Sequence, residues 1–155
     1  MVISGSINGL SKKAISKMEI KNKIMKKYSF LAREGFIIAN CNDDSITYKY
    51  PNSSKIMLNF MIDRDSLSLA ISTEEILNNN KYNKYNKYFD FFYVVKLLEP
   101  QLDFKDIHTD MYPNLLEKNI VTINNLFNKE NEYSTISHLQ RIIRDYNKIR
   151  WLDNK

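Results

Sequence analysis

Between Ser45 and Ser72 apolar and polar residues alternate in three successive runs, and no other feature of the chain restricts its fold as much. Ser45 to Tyr50 sets Ile46, Tyr48 and Tyr50 against Thr47 and Lys49. Lys55 to Ile62 sets Ile56, Leu58, Phe60 and Ile62 against Met57, Asn59 and Met61, and Ser66 to Ser72 sets Leu67, Leu69 and Ile71 against Ser68, Ala70 and Ser72. Side chains of a strand project alternately to its two faces, so this period predicts strands with one face buried. The separators Asn42-Asp43-Asp44, Pro51-Asn52-Ser53-Ser54 and Asp63-Arg64-Asp65 are short and rich in turn-forming residues. With Phe36–Cys41 as a further strand in front, the prediction is a four-stranded antiparallel β-meander.

The flanking segments read as helical. Residues 1–10, with Gly5 and Gly9, are expected to be a flexible lead-in. From an N-cap at Ser11 to Glu34, Ile15, Met18, Met25, Tyr28 and Leu31, with Ile20 and Ile24 alongside, form a helical stripe, and Gly35 suits the left-handed residue that ends such a helix. Ser72-Thr73-Glu74-Glu75 has capping-box spacing and opens a short helix to about Leu77. Phe89–Glu99 is expected to be helical and stopped by Pro100. A further helix runs from Pro113 to about Phe127, and a last one from a cap at Ser134 or Thr135 to Trp151. On that last helix Ile136, Leu139, Ile143, Tyr146 and Ile149 form the inner face. The fold class is therefore α+β: an N-terminal helix, a four-stranded antiparallel meander and a helical C-terminal half packed on the sheet, in a single domain over residues 1–155.

Composition bounds the chemistry. The net charge of +5 is unevenly placed: residues 1–35 hold eight Lys/Arg against two acids, whereas the rest holds fifteen against sixteen. The excess thus sits on one helix. The single cysteine, Cys41, excludes an intramolecular disulfide framework and a Cys-based zinc finger. The basic stretch Lys12–Lys27 is not followed by an apolar run with a cleavage site, and the apolar patch Phe91–Val95 is too short to span a bilayer, so a cytosolic protein without membrane association is expected. All three glycines lie at or before residue 35, which removes Gly-rich phosphate loops. No G-x-S-x-G elbow or H-E-x-x-H helix is present. Heavy use of Asn, Ile and Lys fits an AT-rich bacterial or phage source.

Few residues remain as candidates. Asp103, Asp106, His108 and Asp110 have the types of a metal or general-base cluster, but their spacing matches no motif and an acidic loop accounts for them. Cys41 with His108 or His138 has the types of a nucleophile and base, but Cys41 reads as a small buried or half-buried side chain at a strand end. The lysines of Lys12–Lys27 suit a nucleic-acid backbone or another acidic partner. The repeat Lys81-Tyr82-Asn83, Lys84-Tyr85-Asn86, Lys87-Tyr88 combines rigid aromatic area with adaptable amides, a composition suited to an interface.

The order of elements also carries a resemblance. A leading helix ends in Leu31-Ala32-Arg33-Glu34-Gly35-Phe36 and is followed by Ile46-Thr47-Tyr48-Lys49-Tyr50 and Ile56-Met57-Leu58-Asn59-Phe60. After an Asp-rich turn comes Leu67-Ser68-Leu69-Ala70-Ile71. Over roughly residues 12–76 this pattern resembles small bacterial immunity proteins of polymorphic or contact-dependent toxin systems. The resemblance implies a non-enzymatic protein that binds and neutralises a cognate toxin, with no catalytic residue, cofactor or metal. The expected contact residues are Lys17, Lys21 and Lys23 of the basic helix, Tyr82, Tyr85 and Tyr88 of the repeat, and Asp63 and Asp65 of the acidic turn. The alternative is a nucleic-acid-associated protein, phage-encoded in one version, that binds through the basic helix.

Overall fold

A computed structural model describes residues 12–51, 55–64, 66–81 and 87–153. Helix α1 (Lys12–Lys27) and a single turn α2 (Phe30–Arg33) lead into strands β1 (Ile37–Cys41), β2 (Ser45–Lys49), β3 (Ile56–Asp63) and β4 (Ser66–Thr73). Short helix α3 (Glu74–Asn78) and a two-residue strand β5 (Phe89–Asp90) follow. Helix α4 (Phe91–Leu98), two 3₁₀ turns (Phe104–Asp106 and Thr109–Met111), α5 (Tyr112–Lys118), α6 (Ile120–Leu126) and the long α7 (Glu132–Asp153) complete the chain. The sheet is antiparallel in the order β1-β2-β3-β4-β5, so each strand pairs with its neighbour in sequence.

The alternation translates directly into the register. Ile46 lies opposite Phe60 and Tyr48 opposite Leu58, while Leu58 and Phe60 in turn face Ile71 and Leu69. These side chains are buried on one face, where the helices cover them and form a single core. Burying each large apolar side chain contributes roughly 1.5–3 kcal/mol. Tyr28 at the end of α1 meets the Phe60 ring edge-on at 4.6 Å, and Tyr48 meets it at 5.8 Å. Burial pushes the Tyr28 phenol well above the usual tyrosine range, so it stays neutral. The opposite face carries Thr47, Asn59, Met61 and Ser68, with Thr47 Oγ1 bonded to Asn59 Oδ1 at 3.1 Å.

Several local expectations are met and several are corrected. Gly35 has φ +96°, with the Tyr50 ring 3.3 Å from where a Cβ would stand, so glycine is required there. β3 ends at Asp63 and β4 begins at Ser66, and Ser66 Oγ donates to Asp63 O at 2.9 Å across the expected turn. The leading helix, expected to run unbroken to Glu34, stops at Lys27 and resumes for one turn at Phe30. Its buried stripe is Ile24, Tyr28 and Leu31, with Ile20 beside it, whereas Met18 and Met25 face outward. Ser11 as a cap, and the lead-in 1–10, lie outside the described residues.

The sheet has a fifth strand where an unbroken helix from Phe89 was expected, because Phe89 and Asp90 pair with Ile71 and Ala70 before the chain turns into α4. The helix expected over 113–127 is two, separated at Asn119, whose amide side chain donates to Leu115 O at 2.9 Å. Thr73, not Ser72, caps α3, accepting from Ile76 N at 3.1 Å. The last helix begins at Glu132, and the Thr135 hydroxyl bonds Leu126 O at 2.5 Å instead of capping it. Ile149, assigned to its inner face, is exposed. Cys41 is exposed rather than buried: it pairs with Ile46, on the face the helices cover, but β1 is the outer strand and all five of its residues are exposed.

Candidate functional site

The basic helix divides into two sets of lysines. Lys17 pairs with Asp44, and Lys21 donates to Asn42 O, so both hold α1 against the β1–β2 turn. Asn42 shapes that turn, its Oδ1 accepting from Asp44 N at 2.9 Å and Ser45 N at 3.0 Å. Lys17 and Lys21, expected to meet a partner, are thus engaged within the chain. Lys23, Lys26 and Lys27 remain exposed. The Lys12 and Lys13 side chains are outside the described residues.

Lys23 and Lys27 stand one helical turn apart on the wall of a cavity of about 370 Å³. Its other wall carries Ser66, Leu67, Thr109 and Asp110. Leu67 and Thr109 also line a second cavity, of about 320 Å³, with Ser68, Leu69, Asp90, Phe92, Tyr93, Tyr112, Tyr146 and Arg150. Asp90 and Tyr93 in turn belong to a third, of about 470 Å³, completed by Tyr88, Phe89, Gln140, Ile143 and Arg144. Shared lining residues set the three side by side in a row, here called the trough, along the margin of the sheet, and α7 walls the second and third.

Packed aromatic rings stand at the centre of the trough. Phe92, Tyr93, Phe104 and Tyr146 form an aromatic cluster with ring centroids 4.9–5.9 Å apart. Arg150 lies over the Tyr146 ring at 5.7 Å and Lys96 over Phe104 at 5.1 Å, contacts that hold cations against aromatic faces. Asp90 anchors α4, its Oδ1 accepting from Phe92 N at 2.9 Å. Burial raises the Asp90 pKa, and the bond from Phe92 N only partly offsets this. Tyr93 and Tyr112 are raised as well, first by burial and then by the Asp90 charge. The Tyr88 phenol is raised by burial.

The expected contact residues are therefore dispersed. Lys23 and Tyr88 lie at opposite ends of the trough. Asp63 is exposed at the end of β3. Tyr82, Tyr85 and Asp65 lie outside the described residues. Asp103, Asp106, His108 and Asp110 are all exposed, and among the described residues no group of three or more His, Cys, Asp or Glu could hold a metal ion. Cys41 sits on β1, His108 between the two 3₁₀ turns and His138 on α7. The residues missed were Asp90, Tyr93, Arg144 and Arg150. The helical spacing of Gln140, Ile143, Arg144 and Arg150 is the signal that places them on one face. A second missed feature is the end of α7, where Trp151 and Leu152 are 71% and 72% exposed.

Chemically the trough offers flat aromatic surface, phenol and hydroxyl groups, and cations along its walls. That set suits holding a ligand by stacking, hydrogen bonds and charge. Comparison with protein-family models, with curated proteins and with solved structures finds no match. Among the described residues no helix is long and apolar enough to cross a membrane.

Proposed function

We propose that the chain is a non-enzymatic protein-binding module, acting in the cytoplasm, and that it binds and neutralises a cognate toxin as an immunity protein does. The observation that carries the binding reading is the trough itself, where Tyr88 and Tyr93 line one cavity with Arg144, and Tyr93 and Tyr146 line the next with Arg150. Tyr and Arg are the residue types that most often dominate the energy of protein interfaces, because they bury large area and still make directed polar contacts. The immunity reading adds the order of elements over residues 12–76. The test is co-expression with the product of the adjacent gene. A tight 1:1 complex that suppresses that product's toxicity is expected, and no association with any neighbouring product would overturn the reading.

A nucleic-acid role ranks second. Its support is the exposed set Lys23, Lys26 and Lys27, reduced by the engagement of Lys17 and Lys21 with the β1–β2 turn. Under that reading replacing the three exposed lysines with Glu abolishes retention on DNA or RNA. Its salt dependence would otherwise follow the number of phosphates neutralised.

A further inference from the structure

Two of the cavities meet the sheet in an unusual way. Successive side chains of a strand point to opposite faces, so a cavity lying on one face touches every second residue. The central cavity instead touches the consecutive residues Leu67, Ser68 and Leu69, and the neighbouring one touches Tyr88, Phe89 and Asp90. Both therefore open onto the edge of a strand, where main-chain N–H and C=O groups point. The topology explains why. β5 is two residues long and pairs only with Ala70 and Ile71, while β4 begins at Ser66. Among the described residues, the β5-side margin of β4 from Ser66 to Leu69 therefore has no strand beside it, over about 13 Å of extended chain.

We infer that this margin is a slot for an extended peptide segment of an acidic character, contributed by the partner protein and added to the sheet as a short strand beside β4. The inference rests on the binding-module reading and names how its trough is filled. Dimensions favour a lone segment over a second copy of the sheet. The margin is recessed, with α7 and the aromatic cluster rising beside it, and about 320 Å³ admits only a few residues of extended chain. Charge favours an acidic sequence. Lys23, Lys27, Arg144 and Arg150 line the trough against Asp90 and Asp110, and among the described residues neither Arg144 nor Arg150 is in a salt bridge. Main-chain pairing would supply affinity, and the alternate side chains of the segment would meet Tyr93 and Tyr146 on one side and solvent on the other.

The probe is a phage-displayed library of random dodecapeptides, selected against the full chain, with enriched sequences synthesised and titrated into ¹⁵N-labelled protein. Enriched peptides are expected to carry Asp or Glu among β-branched or aromatic residues. They should slow amide exchange and shift resonances around Leu67–Leu69 and bind Arg150→Glu at least tenfold more weakly. Methylating alternate peptide nitrogens should abolish binding in one register only. Circular dichroism checks that the variant, altered at an exposed position, remains folded, and Tyr93→Ala provides a second lesion in the same slot. An absence of enrichment, a footprint elsewhere, or equal binding by both variants would overturn the slot. A 1:1 complex with the neighbouring gene product that forms equally well with Arg150→Glu and leaves the β4 amides unchanged would keep the binding module and remove the slot alone.

Discussion

Thr73 joins three parts of the molecule through one hydroxyl. It ends β4, caps α3 by accepting from Ile76 N at 3.1 Å, and donates to Glu132 Oε1 at 3.0 Å. Thr73 is fully buried and Glu132, the first residue of α7, is 5% exposed. Replacing Thr73 with Val keeps the shape and removes both bonds. Loss of an N-cap costs about 0.5–2 kcal/mol, and removing one hydrogen-bond partner from a buried polar group about 1–3 kcal/mol. The two share one oxygen and do not add fully, so we expect Thr73→Val to cost roughly 2–4 kcal/mol. Thr73→Ser keeps the hydroxyl and loses one methyl group, which costs about 1 kcal/mol. Urea unfolding followed by circular dichroism measures both, with an unchanged slope showing that the unfolded state is unaffected. If the valine variant is no less stable than the serine variant, the hydroxyl does not join α7 to the sheet and the reasoning fails.

Three further outcomes follow from the same geometry. Asp90 has a raised pKa, so the folded state binds its proton more tightly than the unfolded state does. Its contribution is greatest below about pH 4 and is lost as pH rises through the raised value. Asp90→Asn, which keeps a capping side chain, should therefore be more stable than wild type at pH 7 and equal to it at pH 3, as thermal melts at the two pH values would show. Gly35→Ala forces a Cβ into left-handed backbone and against the Tyr50 ring at 3.3 Å, and should cost about 1–3 kcal/mol by denaturant unfolding. For the exposed pair Lys17–Asp44, a double-mutant cycle with alanine should give a coupling below about 1 kcal/mol that vanishes at high salt. A coupling that persists in salt would show the clamp to be more than an exposed ion pair.

The strands were legible because burial on one face imposes a period that the sequence records residue by residue. In β3 exposure alternates as Ile56, Leu58, Phe60 and Ile62 go inward and Met57, Asn59, Met61 and Asp63 do not. The phase of α1 was harder to read. Met18 and Met25 are seven residues apart and mimic a helical stripe, yet the buried row Ile24-Tyr28-Leu31 lies beside them and is the one the sheet contacts. β5 was hidden by its length, since two residues carry no period and the apolar run behind them belongs to α4. The trough was not legible for a different reason. Its walls come from α1, β4, β5, α4 and α7, and only the topology brings Lys23, Leu67, Asp90 and Arg150 to one margin.

The meander has a consequence for synthesis. Every strand pair joins sequence neighbours, so loop closure is inexpensive in entropy and β1 to β4 can pair as soon as Thr73 has left the ribosome. The helices that cover much of the same sheet face, α4 to α7, follow only with Phe91 to Asp153. During that interval the nascent ribbon shows Leu58, Phe60, Leu69 and Ile71 to solvent with α1 as its main cover. A growing chain of this design passes through a half-clad sheet, the state in which a chaperone or a premature stop has the greatest effect on its yield.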